Sequence, residues 1–175
     1  MIFNGVNNQT VEMKIVDYEF PEMIEGDWDG NWLNIYLNVQ SELGNWEIID
    51  PVLTTWDIRV IIDWLYLLSE NKIPDYLDLR FIEPNISFIL LNKPTDEIKK
   101  IKIKFNYEFE PTFAKKDVEY FVNFEADNQE LKKLATDLDN ELAKYPERSP
   151  NRYDRSEMIT IDVLENGTIK TLRDQ

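Results

Sequence analysis

The chain has 175 residues, 43% apolar and 13% aromatic, with a formal net charge of −15 and neither cysteine nor histidine. That length and apolar content predict one domain with a sizeable core. The two missing residue types exclude disulfides, thiolate and imidazole metal sites, a cysteine nucleophile and any Ser-His-Asp triad.

The first ten residues, MIFNGVNNQT, lack the basic and apolar regions of a signal peptide, and no apolar run approaches the ~18 residues of a membrane span. A soluble cytoplasmic protein is the expectation. Val11, Met13 and Ile15, continued by Val16, Tyr18 and Phe20, predict a first strand over about residues 10–20. Pro21 to Gly30 is a polar connection. Residues 31–40, NWLNIYLNVQ, alternate with period two. Leu33, Ile35, Leu37 and Val39 take one face of a half-buried antiparallel strand, and Trp32, Asn34, Tyr36 and Asn38 take the other. After the SELGN turn, NWEIIDPVL reads as a third strand that Pro51 disturbs or ends.

Thr54-Thr55-Trp56-Asp57 has the form of a capping box and opens a helix. Ile58, Ile61, Ile62, Leu65 and Leu68 form one apolar stripe at helical spacing, and Val60, Trp64 and Leu67 form a second. So apolar a helix is expected to be buried on more than one side, across the sheet. YLDLRFIEP and NISFILLNKP follow as strands, then residues 98–110, with Ile101, Ile103, Phe105, Tyr107 and Phe109 inward and Lys100, Lys102, Lys104, Asn106 and Glu108 outward. The Lys99–Lys104 run thus reads as a soluble outward face, not a nucleic-acid site. A strand over 118–126 carries Val118, Tyr120, Val122 and Phe124 on one side. Asp127-Asn128-Gln129-Glu130 opens a second helix to about Tyr145, with Leu131, Leu134, Ala135, Leu138 and Leu142 as its single stripe. The expected fold is α+β: a largely antiparallel sheet of six or seven strands with two helices over residues 1–146. A polar linker over 147–157 and a C-terminal hairpin over 158–175, turning at Asn166-Gly167, complete the chain.

The charge is unevenly placed. Residues 1–97 carry eighteen carboxylates against five cations, whereas the remainder is close to balanced. Between Lys14 and Arg59 there is no Lys or Arg, but there are ten carboxylates together with Trp28, Trp32, Trp46 and Trp56. Such a stretch repels nucleic acid and attracts a basic partner, although a merely solubilising acidic face has the same composition. Trp56 and Trp64 are expected in the core. Trp28 and Trp32 are the surface candidates, since aromatic anchors inside a charged rim concentrate binding energy.

Within this interval, GDWDGNW raises a metal question. Asp27, Asp29 and Asn31 copy the first three ligand positions of an EF-hand loop, but Trp32 stands where the loop needs glycine and Asn38 where it needs a bidentate glutamate. No metal and no cofactor is expected. A carboxylate-pair hydrolase, with Glu25, Asp27 and Asp29 as its acids and the tryptophans as a sugar platform, is compatible with the composition. Carboxylates are so abundant here that some pair fits by chance.

The element Asp29-Gly30-Asn31-Trp32-Leu33, D-x-N-W-L after a strand and opening the next, resembles the WapI family of bacterial immunity proteins. So does the order of elements from about Met13 to Pro146, ending in LKKLATDLDNELAKYP. The resemblance implies a small non-enzymatic cytoplasmic protein that neutralises the toxic C-terminal domain of a large secreted or surface-displayed toxin, as in polymorphic and contact-dependent growth-inhibition systems. Many such toxin domains are nucleases, whose basic clefts an acidic surface complements. Glu19, Glu22, Glu25, Asp27, Trp28, Asp29, Trp32, Asn34 and Tyr36 are the candidate toxin-binding residues. An acidic adaptor module unrelated to toxins is the alternative.

Overall fold

The computed structural model describes residues 1–24 and 28–148, and the backbone of 162–163 and 169–170. It is α+β, with two helices and two four-stranded antiparallel sheets. The first sheet runs in chain order: β1 (Ile2–Asn4), β2 (Thr10–Tyr18), β3 (Trp32–Ser41) and β4 (Gly44–Thr54). Helix α1 (Thr55–Ser69) leads to the second sheet, β5 (Asp78–Leu79), β6 (Ile86–Leu90), β7 (Lys99–Phe105) and β8 (Tyr120–Ala126), and then to α2 (Asn128–Leu142). The strands thus divide between two sheets, joined where Gly5 bridges Phe124 just beyond β1. That short first strand is not legible as a strand in MIFNG.

Period two decides the first sheet. Leu33, Ile35, Leu37 and Val39 are fully buried, while Asn34, Tyr36 and Asn38 alternate with them on the outer face. Val16 is the extra residue of a bulge in β2, and Val52 of a second bulge in β4. Pro51 does not end β4, which continues to Thr54. This is an edge strand, where the missing proline N–H leaves no ladder bond unmade. Gly44 turns the β3–β4 hairpin at φ 129°, and a Cβ there would fall 2.5 Å from the Phe113 ring.

Both helices begin as expected. Thr54 Oγ1 accepts from the Asp57 amide at 3.2 Å while the Asp57 carboxylate accepts from the Thr54 amide at 2.8 Å, and Asp127 and Glu130 repeat the exchange at α2. All five residues of the α2 stripe are buried, and so are all five of the first α1 stripe. Each fully buried aliphatic side chain contributes about 1.5–3 kcal/mol. Helix α2 stops at Leu142. α1 packs on the core through one stripe and on α2 through its flank, where Arg59 meets Asp139 at 2.6 Å and the Tyr66 hydroxyl meets Thr136 at 3.1 Å.

Several expectations change. YLDLRFIEP contributes only the two-residue β5. β7 ends at Phe105, after which a 3-10 turn at positive φ throws Tyr107 outward, 67% exposed. Val118 is exposed ahead of β8. Lys99 does not share the outward face of Lys100, Lys102 and Lys104. It is fully buried, and its ammonium donates to Asn71 Oδ1 at 2.5 Å and to Asn128 Oδ1. This ties the end of α1 to the start of α2, and desolvation pulls its pKa below that of a free lysine. Among the described residues no helix is long and apolar enough to cross a membrane. Asp162–Val163 and Ile169–Lys170 pair antiparallel as their own two-stranded sheet. The Asn166-Gly167 turn expected between them lies outside the described residues.

Candidate partner-binding surface

The connection from β2 to β3 is held by one buried amide. Asn31 has no exposed surface, and its Oδ1 accepts from Thr55 Oγ1 at 3.1 Å and from the Arg148 amide at 2.9 Å. Three chain segments meet there: the D-x-N-W-L element, the first residue of α1, and the segment beyond α2. Its Nδ2 reaches back to the Trp28 carbonyl at 3.4 Å. The third ligand position of the EF-hand-like run is therefore already occupied by protein donors, and Trp32 opens a strand where an EF-hand enters a helix. Gly30 fits because the chain crosses itself here: a Cβ would stand 2.8 Å from the Met23 carbonyl oxygen.

Arg148 closes the connection from outside. Its Nη1 donates to the carbonyls of Phe20 at 2.8 Å and Met23 at 3.1 Å, and its guanidinium carbon lies 3.2 Å from the centre of the Tyr18 ring. The Tyr18 hydroxyl donates to the Pro146 carbonyl at 2.5 Å. Nothing in PERSPNRYDRSE marks these roles by pattern, and its composition alone places residues from 147 onward in a polar linker.

The tryptophans form a cluster. Trp28 meets the edge of Trp32 at 5.4 Å between centroids and the tilted face of Trp56 at 6.1 Å. Trp32 sits on the outward parity of β3 but is only 9% exposed, with the Trp28 ring of the preceding turn against it. Trp56, expected in the core, is half-buried instead. It is the second residue of α1, and its indole donates to the Glu147 carboxylate. Trp28 is half-buried. Trp64 is buried, as the helical spacing requires.

The acids gather around this cluster. Asp29 and Glu22 are exposed and Glu19 is half-buried, with its amide bonded to the Trp32 carbonyl at 2.9 Å. Burial raises the Glu19 pKa, and the charges of Asp29 and Asp50 raise it further. Asp50, which the sequence alone does not single out as a binding residue, is itself raised by burial and then by Glu108. Beyond them lies the outer face of β2–β4. There Tyr36 donates its hydroxyl to Glu47 at 3.1 Å and accepts from Asn38 at 3.2 Å, while Lys14 stands 5.5 Å from its ring centre. Lys14 is paired with Glu12 at 2.5 Å, and Ile49, opposite Tyr36, is 54% exposed. Asn34 lies between the two regions, its Nδ2 3.5 Å from the Tyr18 carbonyl.

The fold thus brings Glu19, Trp28, Asp29, Trp32 and Asn34 together at one end of the sheet and sets Tyr36 further along the same face. Glu22 projects from the connection, next to an Ile24 that is 68% exposed. Glu25 and Asp27 lie outside the described residues. The surface offers half-buried aromatic rings and exposed aliphatic residues inside a rim of carboxylates. Such a surface can bind a cationic protein, since the two cations placed on it are already engaged, Arg148 by the Phe20 and Met23 carbonyls and Lys14 by Glu12.

Among known protein families, the model of the immunity protein WapI-like family aligns with residues 1–146. No curated protein and no solved structure matches the chain.

Proposed function

The chain belongs to the WapI-like immunity protein family, and on that premise we propose that it binds and neutralises a cognate toxin domain, a basic nuclease, through the acidic aromatic surface around Trp28 and Glu19. The observation that carries this reading is the family match; the charge of the surface supplies the chemistry. A nuclease presents Lys and Arg to phosphates, so its working surface is cationic. The carboxylates of Glu19, Glu22, Asp29 and Asp50, with Glu12 and Glu47 further along the sheet, complement such a surface and steer its approach. The rings of Trp28, Trp56 and Tyr36 and the side chains of Ile24 and Ile49 supply the apolar contact that charge alone does not.

Two features support the surface as a preorganised one. Asn31 and Arg148 hold the described residues on both sides of the connection, Phe20, Met23 and Trp28, so their ordering entropy is met on folding and not on binding. The pKa values of Glu19 and Asp50 are raised first by burial and then by neighbouring carboxylates, so a cation from the partner compensates charges that are already partly desolvated. Binding suffices for neutralisation, and no turnover is required of this chain. Glu25 and Asp27, two of the three acids of the hydrolase alternative, lie outside the described residues.

The test is calorimetric titration against the toxin-like C-terminal domain encoded beside this chain, at low and at physiological salt. One-to-one binding that weakens as salt rises is the expected result. Absence of heat with both proteins folded ends the reading for that pair.

A further inference from the structure

Alternation along β6 sends Ile86, Phe88 and Leu90 into the core and places Ser87 and Ile89 on the outer face of the second sheet. A cleft of about 350 Å³ opens on that face, at the lower end of the range for small-molecule sites. Lys104 on β7 stands directly opposite Ser87, a relation that sets Cβ atoms about 5 Å apart, and both residues line the cleft. Pro84, Ile89 and Tyr107 give it an apolar wall.

Ser87 is only 7% exposed, yet its hydroxyl has no hydrogen-bond partner among the described residues. A buried hydroxyl without a partner is costly, so one in the lining of a cleft points to a ligand. Tyr107 makes the same point through its backbone. It is held at φ 52°, in the left-handed region that a bulky side chain rarely adopts. Its neighbours impose this: the Asn106 amide donates to the Asn85 carbonyl at 2.8 Å, Asn106 Nδ2 to the Pro84 carbonyl at 3.0 Å, and the Glu110 amide to the Tyr107 carbonyl at 3.0 Å. The strain displays an exposed ring at the cleft, its hydroxyl also without a partner among the described residues.

The polar groups of the lining call for an acceptor. Both oxygens of Glu119 are engaged, Oε2 by Lys102 at 3.2 Å and Oε1 by Lys104 at 3.0 Å. Two ammonium groups thus share one carboxylate, a local surplus of one positive charge in a chain of formal net charge −15. Arg80 is balanced by Asp78 and adds nothing to that surplus. An ammonium has three N–H donors, so Lys104 keeps two after meeting Glu119, beside the unpartnered hydroxyls of Ser87 and Tyr107.

We propose that this cleft binds a small organic anion, with its carboxylate or phosphate head on Ser87 and Lys104 and a flat apolar body against Tyr107, Pro84 and Ile89. Donors without acceptors select the charged head, and the displayed ring selects the flat body. The site does not depend on the toxin-binding reading.

The test uses the full chain labelled with ¹⁵N, with phenyl phosphate and benzoate as probes and neutral benzamide as control. The expected result is a saturable movement of the Ser87, Lys104 and Tyr107 amide signals with at least one anion and none with benzamide. The anion with the lower Kd identifies the head group. Ser87→Ala is expected to weaken its binding about tenfold, as loss of one hydrogen bond to a charged group implies. The melting temperature of that variant should be no lower than that of the wild type, because the hydroxyl removed has no partner to lose. Tyr107→Asn, a residue that suits the left-handed backbone, should also keep the melting temperature while weakening the anion several-fold. No saturable movement with either anion, equal affinity for benzamide, or an unchanged Kd in both folded variants overturns the site. No toxin enters this experiment, so either outcome leaves the immunity reading as it stands.

Discussion

Arg148 lies face-on over Tyr18, its guanidinium carbon 3.2 Å from the ring centre, although 130 positions separate the two in sequence. The same guanidinium bonds the carbonyls of Phe20 and Met23, and the Arg148 amide bonds Asn31. One residue beyond the end of α2 thus clamps the connection that carries the candidate binding residues. The clamp sits two positions past the last residue aligned with the family.

Arg148→Ala is expected to destabilise the fold by about 2–3 kcal/mol, since charge-assisted bonds to two carbonyls and a cation–π contact are lost together. For a chain of this size that corresponds to a melting temperature lower by roughly 4–12 °C. Arg148→Lys should recover only part of the loss, because an ammonium cannot stack on the ring while reaching both carbonyls. Thermal unfolding followed by circular dichroism measures this. A lysine variant as stable as the wild type would mean that planarity and stacking play no part.

Asn31→Ala should cost about 2–4 kcal/mol, because it leaves the Arg148 amide without its acceptor and opens a small void under Trp32. Asn31→Asp keeps the acceptor but buries a charge, and its penalty should shrink as pH falls through the carboxylate range. Denaturant unfolding at pH 5 and pH 7.5 separates the two. An Asp variant whose stability deficit is the same at both pH values would contradict the account of Asn31 as a buried acceptor.

The elements that sequence exposes best are those whose pattern is local. The α2 stripe, the two capping boxes and the β3 alternation all follow from spacing within one element, and the structure keeps them except at Trp32, which is buried despite its outward parity. The division into two sheets is not local. Even the bridge that joins them, Gly5 to Phe124, is encoded by no pattern in either segment. Lys99 shows the same limit: within KKIKIKF its parity is that of Ile101 and Ile103, so it points inward, but only Asn71 and Asn128 make an inward lysine tolerable. Trp56 escapes the core expected for it because helical spacing tells which face a residue shares, not whether another element covers that face. The D-x-N-W-L element is legible as a motif, but the partners of its Asn31, Thr55 and Arg148, are not.

Stability should rise as pH falls from neutrality toward the carboxylate range, and then fall below it. Glu19, Asp50 and Asp57 have pKa values raised first by burial. A raised native pKa contributes stability that is complete below the unfolded value and is lost as pH rises through the native one. Glu119 behaves oppositely. Its bonds to Lys104 and Lys102 lower its pKa below 4.5, so its contribution is present above that value and disappears as pH falls through the native one. The melting temperature should therefore peak on the acid side of neutrality, above about pH 4.5. Glu19→Gln should raise stability at pH 7.5 and flatten the gain on acidification. A wild-type melting temperature that falls steadily from pH 7.5 to pH 5 would contradict the raised pKa values.

Charge reversal offers the most direct reading of the acidic surface, because it separates steering from contact. Asp29 is exposed and Glu19 half-buried, and the charge of Asp29 acts on Glu19. Reversing Asp29 alone therefore changes the long-range field without removing a buried group. Asp29→Lys is expected to lower the association rate for the toxin domain about three- to tenfold at low salt and to reduce the salt dependence of that rate, with a smaller effect on dissociation. Trp28→Ala should do the reverse, raising the dissociation rate while leaving association nearly unchanged, since a half-buried ring acts after encounter. Stopped-flow association at two ionic strengths, with dissociation followed by competition, measures both. Wild-type association for Asp29→Lys would move the contact away from the β2–β3 connection, because a charge at the centre of a steered interface cannot be inverted without slowing encounter.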